Sequence, residues 1–324
     1  MRQRMPQIAV GMALIGLVIA PSGLSSYVLS LLTQALIYAI LAMSLDLLLG
    51  YTGLASLGHA AYLGIGAYSV GILTTQYGAG FWVTLPMGVV LATVVAAIFG
   101  LVALRATGVY FLMITLALGM VVWGLAQRWV SLTQGDNGIA GIPRLELVVP
   151  GLGVQSPPFY YVALAGFLLT YGLLRVIVRS PFGQTLVGIR ESESRMRTLG
   201  YHVWLHKYVG FVIAGAFGGF AGVLWAYYTG FVSPTDVELA TSVEVLLMVA
   251  LGGRGSLLGP AVGAGLIVFL KNLVSVYTHR WLLILGSVYI LTIMYTPEGI
   301  IGGIRQALRG ARPLSPSPPL KLRQ

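Results

Sequence analysis

The chain has no cysteine, so it can form no disulfide and offers no thiolate to a metal. Its four histidines are scattered and form no metal constellation. Charge is scarce: 9% of the 324 residues are Asp, Glu, Lys or Arg, against about 25% in soluble domains. So few charges cannot cover a water-exposed surface of this size. No G-x-x-x-x-G-K-[S/T] phosphate loop occurs. The nearest candidate, GGRGSLLGP, lacks the lysine and sits between two hydrophobic segments, where its glycines suit a tight turn. No pair of carboxylates and no Ser-His-Asp set marks a catalytic centre, so nothing points to an enzyme or to a cofactor on this chain.

What is abundant is apolar: 57% of residues are hydrophobic. Runs of around twenty apolar residues recur, and each can cross about 30 Å of hydrocarbon as a helix. A membrane β-barrel would alternate polar and apolar residues over roughly ten-residue strands, and runs such as Ile8–Ala20 and Leu85–Leu104 do not alternate. The reading is all-α: a polytopic transmembrane helical bundle of about ten spans, with one or two of them candidates for re-entrant segments. The expected spans are Ile8–Ala20, Tyr27–Leu49, Gly50–Thr75, Phe81–Leu104, Val109–Trp129, Phe159–Val178, Tyr208–Tyr228, Leu239–Gly252, Ala261–Tyr277 and Trp281–Tyr295. The first, preceded by Arg2 and Arg4, has the look of a signal peptide, but Pro21 makes Ala20 a poor cleavage point and retention is expected.

The net charge of +10 does not suggest nucleic acid, because the basic residues cluster between spans. Fifteen of the nineteen fall on one side of the alternating topology. That asymmetry places this side, and both termini, in the cytoplasm. Residues 1–304 then form one transmembrane domain, with an external loop at 132–158, a long cytoplasmic segment at 179–207, and a proline-rich tail at 305–324 expected to be disordered.

The 179–207 segment holds two of the nine acidic residues, Glu191 and Glu193, and five basic ones, Arg179, Arg190, Arg195, Arg197 and Lys207. A short helix is expected over Gln184–Gly200, with Pro181 near its start and Gly200 at its end. Leu186, Ile189, Met196 and Leu199 would give it one apolar side. Such a helix can lie on the membrane surface as a linker or dock in a groove of another protein.

Polar groups inside the spans are candidates for function, since a charge at the bilayer centre costs roughly 2.5–3.5 kcal/mol on insertion scales. Glu244 stands near the start of an apolar segment, as a snorkelling carboxylate, a path contact or a tether between helices. His59 and Tyr62 lie in a stretch carrying Gly50, Gly53, Gly58, Gly64, Gly66 and Gly71, which allows close helix packing or a helix break. Asp46 reads as an interfacial group or the partner of an inner arginine. Ala214, Gly218 and Gly222 fall four apart, on one helical face suited to tight contact.

Four stretches carry a family resemblance: GYTGLASLGHAAYLGIGAY (50–68), GDNGIAGIP (135–143), SPFGQTLVGIRESESRMRTLG (180–200), and the run from Gly230 to Ala264. Together they resemble the permease subunits of branched-chain amino-acid ABC importers, of the LivM type, in the same order along the chain. The resemblance implies a coupling loop at the 180–200 stretch. It also implies a second homologous permease, two cytoplasmic ATP-binding subunits that hold the ATP, and a periplasmic substrate-binding protein docking outside. A bacterial or archaeal inner membrane is the implied location. Family coupling loops read close to E-x-E-x-A-A-E-A-x-G; Glu191, Glu193 and Gly200 fit, whereas Arg195, Met196 and Arg197 replace the Ala-Ala-Glu. Arg190, Glu191, Glu193, Arg195, Arg197 and Gly200 are thus candidate ATPase contacts, and His59, Tyr62 and Glu244 candidate path residues. The rival from the residues alone is a stand-alone gradient-driven carrier, to which broken glycine-rich helices and buried Glu244 and His59 would also be suited.

Overall fold

The computed structural model describes residues 16–18, 21, 23–143 and 158–277, with isolated positions between 283 and 302. Most of the expected first and tenth spans, residues 144–157 and the 305–324 tail lie outside the described residues.

Eight long helices account for the second to ninth expected spans: α1 Ser26–Asp46, α2 His59–Tyr77, α3 Phe81–Ala103, α4 Val109–Arg128, α6 Pro158–Arg179, α9 Val203–Thr229, α10 Leu239–Gly252 and α11 Leu258–Tyr277. Shorter ones are α5 Val130–Thr133, α7 Pro181–Glu191 and α8 Glu193–Thr198. Among the described residues, six stretches are long and apolar enough to cross a membrane: Ser26–Thr52, Phe81–Ala103, Val109–Arg128, Phe159–Arg179, Val203–Thr229 and Leu258–Ser275. Exposed Tyr27, Tyr77, Trp82 and Trp129 mark one end of the bundle, and Tyr110, Tyr201 and Trp204 the other. Amphipathic rings favour those two interfaces.

The sequence explains the packing. α1 is the axis: Ile37, Ile40, Leu41, Ala42 and Met43 have no exposed surface. Small residues decide which faces approach. A Cβ built on Gly222 of α9 would collide with the Leu63 carbonyl of α2, and one on Gly219 would collide with Ala92 of α3. The expected Ala214–Gly218–Gly222 face is thus in tight contact, and Tyr62 packs where Gly218 has no side chain, 3.0 Å from the site of a Cβ.

Two segments depart from the straight-span reading. α1 runs into a π-helical turn, Leu47–Thr52, that ends at Gly53 with φ +76°. The glycine-rich third span therefore begins with an irregular stretch, and α2 starts only at His59. The second departure is 231–238, between the expected seventh and eighth spans. Its first two residues form β2 (Phe231–Val232), which pairs antiparallel with β1 (Ile139–Ala140) and ties two loops together. The chain then turns inward through Pro234–Val237, and Val237, buried, fills the space left by Gly64 of α2. Ser-Pro-Thr-Asp closes this turn as a capping box between Ser233 and Asp236. α10 consequently starts deep: its 14 residues span about 21 Å at 1.5 Å per residue, less than the bilayer core of about 30 Å.

Candidate functional site

The 179–207 segment is two helices rather than one. Ser180 caps α7 by accepting from the Gly183 amide, with Pro181 in the first turn as expected. The chain breaks at Ser192, whose backbone is extended and whose hydroxyl accepts from the Arg195 amide to start α8. Gly200, at φ +87°, ends the segment. The break divides the expected apolar side. Leu186 and Ile189 are buried against the bundle, Met196 folds back against Gly188, and Leu199 is exposed. Lys207 belongs to α9, which begins five residues before the expected Tyr208.

Two polar contacts anchor this segment. The Arg190 guanidinium donates to the carbonyl of Gly50 in the π turn. Glu193 accepts from the buried Lys207 of α9 and lies 3.5 Å from Arg197. Glu191, Arg195, Arg197 and Gly200 are exposed, as are Tyr201 and Trp204 just beyond.

Asp46, fully buried, closes the same junction from the other side. Its hydrogen-bond partners are backbone amides, and Arg190 lies close enough to interact with its charge. Oδ1 accepts from Gly255 at 2.8 Å and Oδ2 from Leu257 at 3.2 Å. These amides belong to the α10–α11 turn, where Gly253, Gly255 and Leu257 all have positive φ. Successive amides in such a turn form an anion-holding concavity, and here the anion is supplied by the chain itself. The turn expected from GGRGSLLGP is present.

Deeper in the bundle, His59 Nε2 lies 2.7 Å from Ser44 Oγ, while Nδ1 is buried with no hydrogen-bond partner. Its ring meets Tyr62 edge-on at 5.4 Å, and Tyr62 meets Phe211 edge-on at 6.0 Å. Beside them the Ala60 amide donates to Ser242 of α10 at 3.0 Å. Glu244, two residues further along α10, does not snorkel; it is buried and accepts from Lys271 Nζ of α11 at 2.7 Å. Of the three candidate path residues, His59 and Tyr62 are brought together, and Glu244 sits apart in an ion pair between helices.

Comparison with known proteins follows this geometry. The family described as the permease component of branched-chain amino acid transport systems matches residues 27–294. The chain belongs to that family. It is 32% identical to the high-affinity branched-chain amino acid transport permease LivM of Salmonella typhimurium, over 92% of this chain and 76% of the relative. Two proteins of Methanocaldococcus jannaschii are each 25% identical to it. The probable branched-chain amino acid permease LivM covers 82% of this chain and 90% of its own length. The probable permease LivH covers 84% and 92%. No solved structure matches. The chain is a multi-pass membrane permease, and a transport permease is not an enzyme.

Sequence reasoning missed several groups of this permease. Asp236 is folded inward, where it accepts from Trp225 Nε1 at 2.9 Å and from the Ser233 amide at 3.0 Å. Burial pushes its carboxyl above the usual range, and nearby Glu238 adds to this, while the two hydrogen bonds oppose it. The Ser-x-x-Asp spacing was the available signal. The Lys271 partner of Glu244 was also legible, as one opposite charge in the next apolar helix.

Proposed function

We propose that this permease is the membrane path of an ATP-driven importer for branched-chain or other hydrophobic amino acids. It would be fed by a periplasmic binding protein and paired with a second, homologous permease in a bacterial or archaeal inner membrane. ATP is bound by two cytoplasmic partner subunits and not by this chain. The observation that carries the reading is the two-helix segment α7–α8. It is held to the bundle by Arg190 and Glu193 while Glu191, Arg195 and Arg197 project from it. A segment anchored on one side and charged on the other is suited to receive a push from a soluble partner and pass it inward.

In this reading Glu191, Arg195 and Arg197, with the turn at Gly200, meet the ATPase, and closure of the ATPase dimer displaces α7–α8. The bundle then tilts from inward- to outward-facing. His59 and Tyr62, packed between α2 and α9, and Glu244 on α10 are the polar groups that a passing amino acid meets as those helices part. The names of the relatives support the substrate class, and the match to LivH as well as LivM supports a paired permease.

Affinity purification in mild detergent tests the assembly, with the expected result that ATP-binding chains and a second permease come with this one. Charge reversal at Arg197 should then lower uptake while ATP hydrolysis and membrane insertion persist. A chain that purifies alone and moves solute in liposomes under an ion gradient, indifferent to ATP, overturns the reading.

A further inference from the structure

The contacts of Arg190 and of Asp46 fall on one helical turn. Asp46 holds the Gly255 and Leu257 amides of the α10–α11 turn. Four residues later, the Gly50 carbonyl holds Arg190 of the cytoplasmic segment. The two positions face the same way: a Cβ on Gly50 would run into the Asp46 carboxylate and stand 2.8 Å from Gly255 Cα. A Cβ on Gly255 would stand 3.4 Å from Arg190 Nη1. Three elements distant in sequence therefore converge on one spot kept open by glycine.

We infer that Asp46 is a positioning residue for energy coupling: it clamps the α10–α11 turn to the stretch of α1 that Arg190 grips, so that α7, the end of α1 and the turn move as one body. Leu257 sits at φ +49°, a conformation a branched side chain rarely adopts, and the carboxylate is what holds its amide there. Beyond the turn, α10 is a short rigid helix whose Ser242 binds the Ala60 amide next to His59. A displacement of Arg190 is thus delivered, through Asp46 and α10, to the start of α2. Its consequence for transport rests on the function proposed above; the clamp itself does not.

The test is reciprocal. In the intact complex in lipid nanodiscs, hydrogen exchange is followed by mass spectrometry in Arg190→Gln and in Asp46→Asn. Arg190→Gln should speed exchange across 253–259 by about tenfold, and Asp46→Asn should do the same across 184–191, which Asp46 does not touch. If exchange at either segment is unchanged, the one-body clamp is wrong. Arg190 is exposed, so that arm stands even where Asp46→Asn fails to assemble. In transport, each variant should lower uptake per ATP hydrolysed by about tenfold, and the double variant no further. Multiplying losses would mean two independent routes and would overturn the clamp. Absence of ATP-driven uptake in the unmodified protein would instead overturn the proposed function and leave the exchange result to decide on the clamp.

Discussion

α1 and α3 are both long apolar helices and occupy opposite environments. Of the most apolar window of α1 and its π turn, 78% is buried inside the chain; for α3, which is the more apolar, the figure is 22%. α3 turns Val83, Val90, Val94 and Ile98 outward and buries only Thr84, Gly88, Ala92, Ala96, Gly100 and Ala103, all small and mostly four apart. α1 is surrounded and also ends in a buried carboxylate. In water the more apolar helix would be the buried one. In lipid apolarity gives no preference between neighbours, and contact goes to small residues and to polar groups needing partners.

That contrast can be broken, most forcefully at the small-residue contacts. Gly222→Leu puts a side chain into the Leu63 backbone. Overpacking costs about 1–3 kcal/mol and more where backbone must move, so the thermal midpoint in detergent should fall sharply or the folded species be lost. The ion pair comes next. Glu244→Leu leaves Lys271 facing an apolar neighbour. Breaking a fully buried pair costs about 3–5 kcal/mol. The Lys271 side chain is 33% exposed, so a loss of about 1–3 kcal/mol is expected. Adding Lys271→Leu should recover most of it, and a double variant no better than the single would show the pair is not the tether.

A smaller effect belongs to Asp236, outside the spans. Its folded-state pKa is raised above the unfolded value, chiefly by burial, so the folded state holds the proton more tightly. The stability this gives is full below the ordinary carboxylate range and is lost as pH rises through the raised pKa. Thermal midpoints should therefore decline across that window in the parent protein, and the decline should flatten in Asp236→Asn. The smallest change is expected at the lipid face: Val90→Leu should stay within about 0.5 kcal/mol. A Val90→Leu midpoint drop as large as that of Gly222→Leu would erase the distinction between the small-residue contacts and the lipid face.

Much of this was legible because it is local. Apolar run length located eight helices, Pro181 and Gly200 bracketed the polar segment between α6 and α9, and Gly-Gly-Arg-Gly marked the α10–α11 turn. What was hidden is long-range or finely balanced. Asp46 finds its amides more than two hundred residues away, and nothing in the sequence around it names the Gly255 turn. The break at Ser192 lies in a polar stretch where every residue tolerates helix, so only Ser192 capping the next helix decides it. Which face of an apolar helix turns inward is carried by glycine and alanine spacing, as at Ala214, Gly218 and Gly222. Where α10 begins depends on how Val237 fills the gap at Gly64, a fit that no periodicity displays.

The π turn at 47–52 gives α1 a second property. A π turn holds one more residue than an α turn, and each residue advances an α-helix by about 100°. Removing one residue there would leave the helix almost as long but rephase everything after it, swinging the Gly50 carbonyl away from Arg190 and the loop before His59 out of line with Ser44. The turn acts as an angular setting, so single insertions or deletions between 47 and 52 should be far less tolerated than substitutions at the same positions.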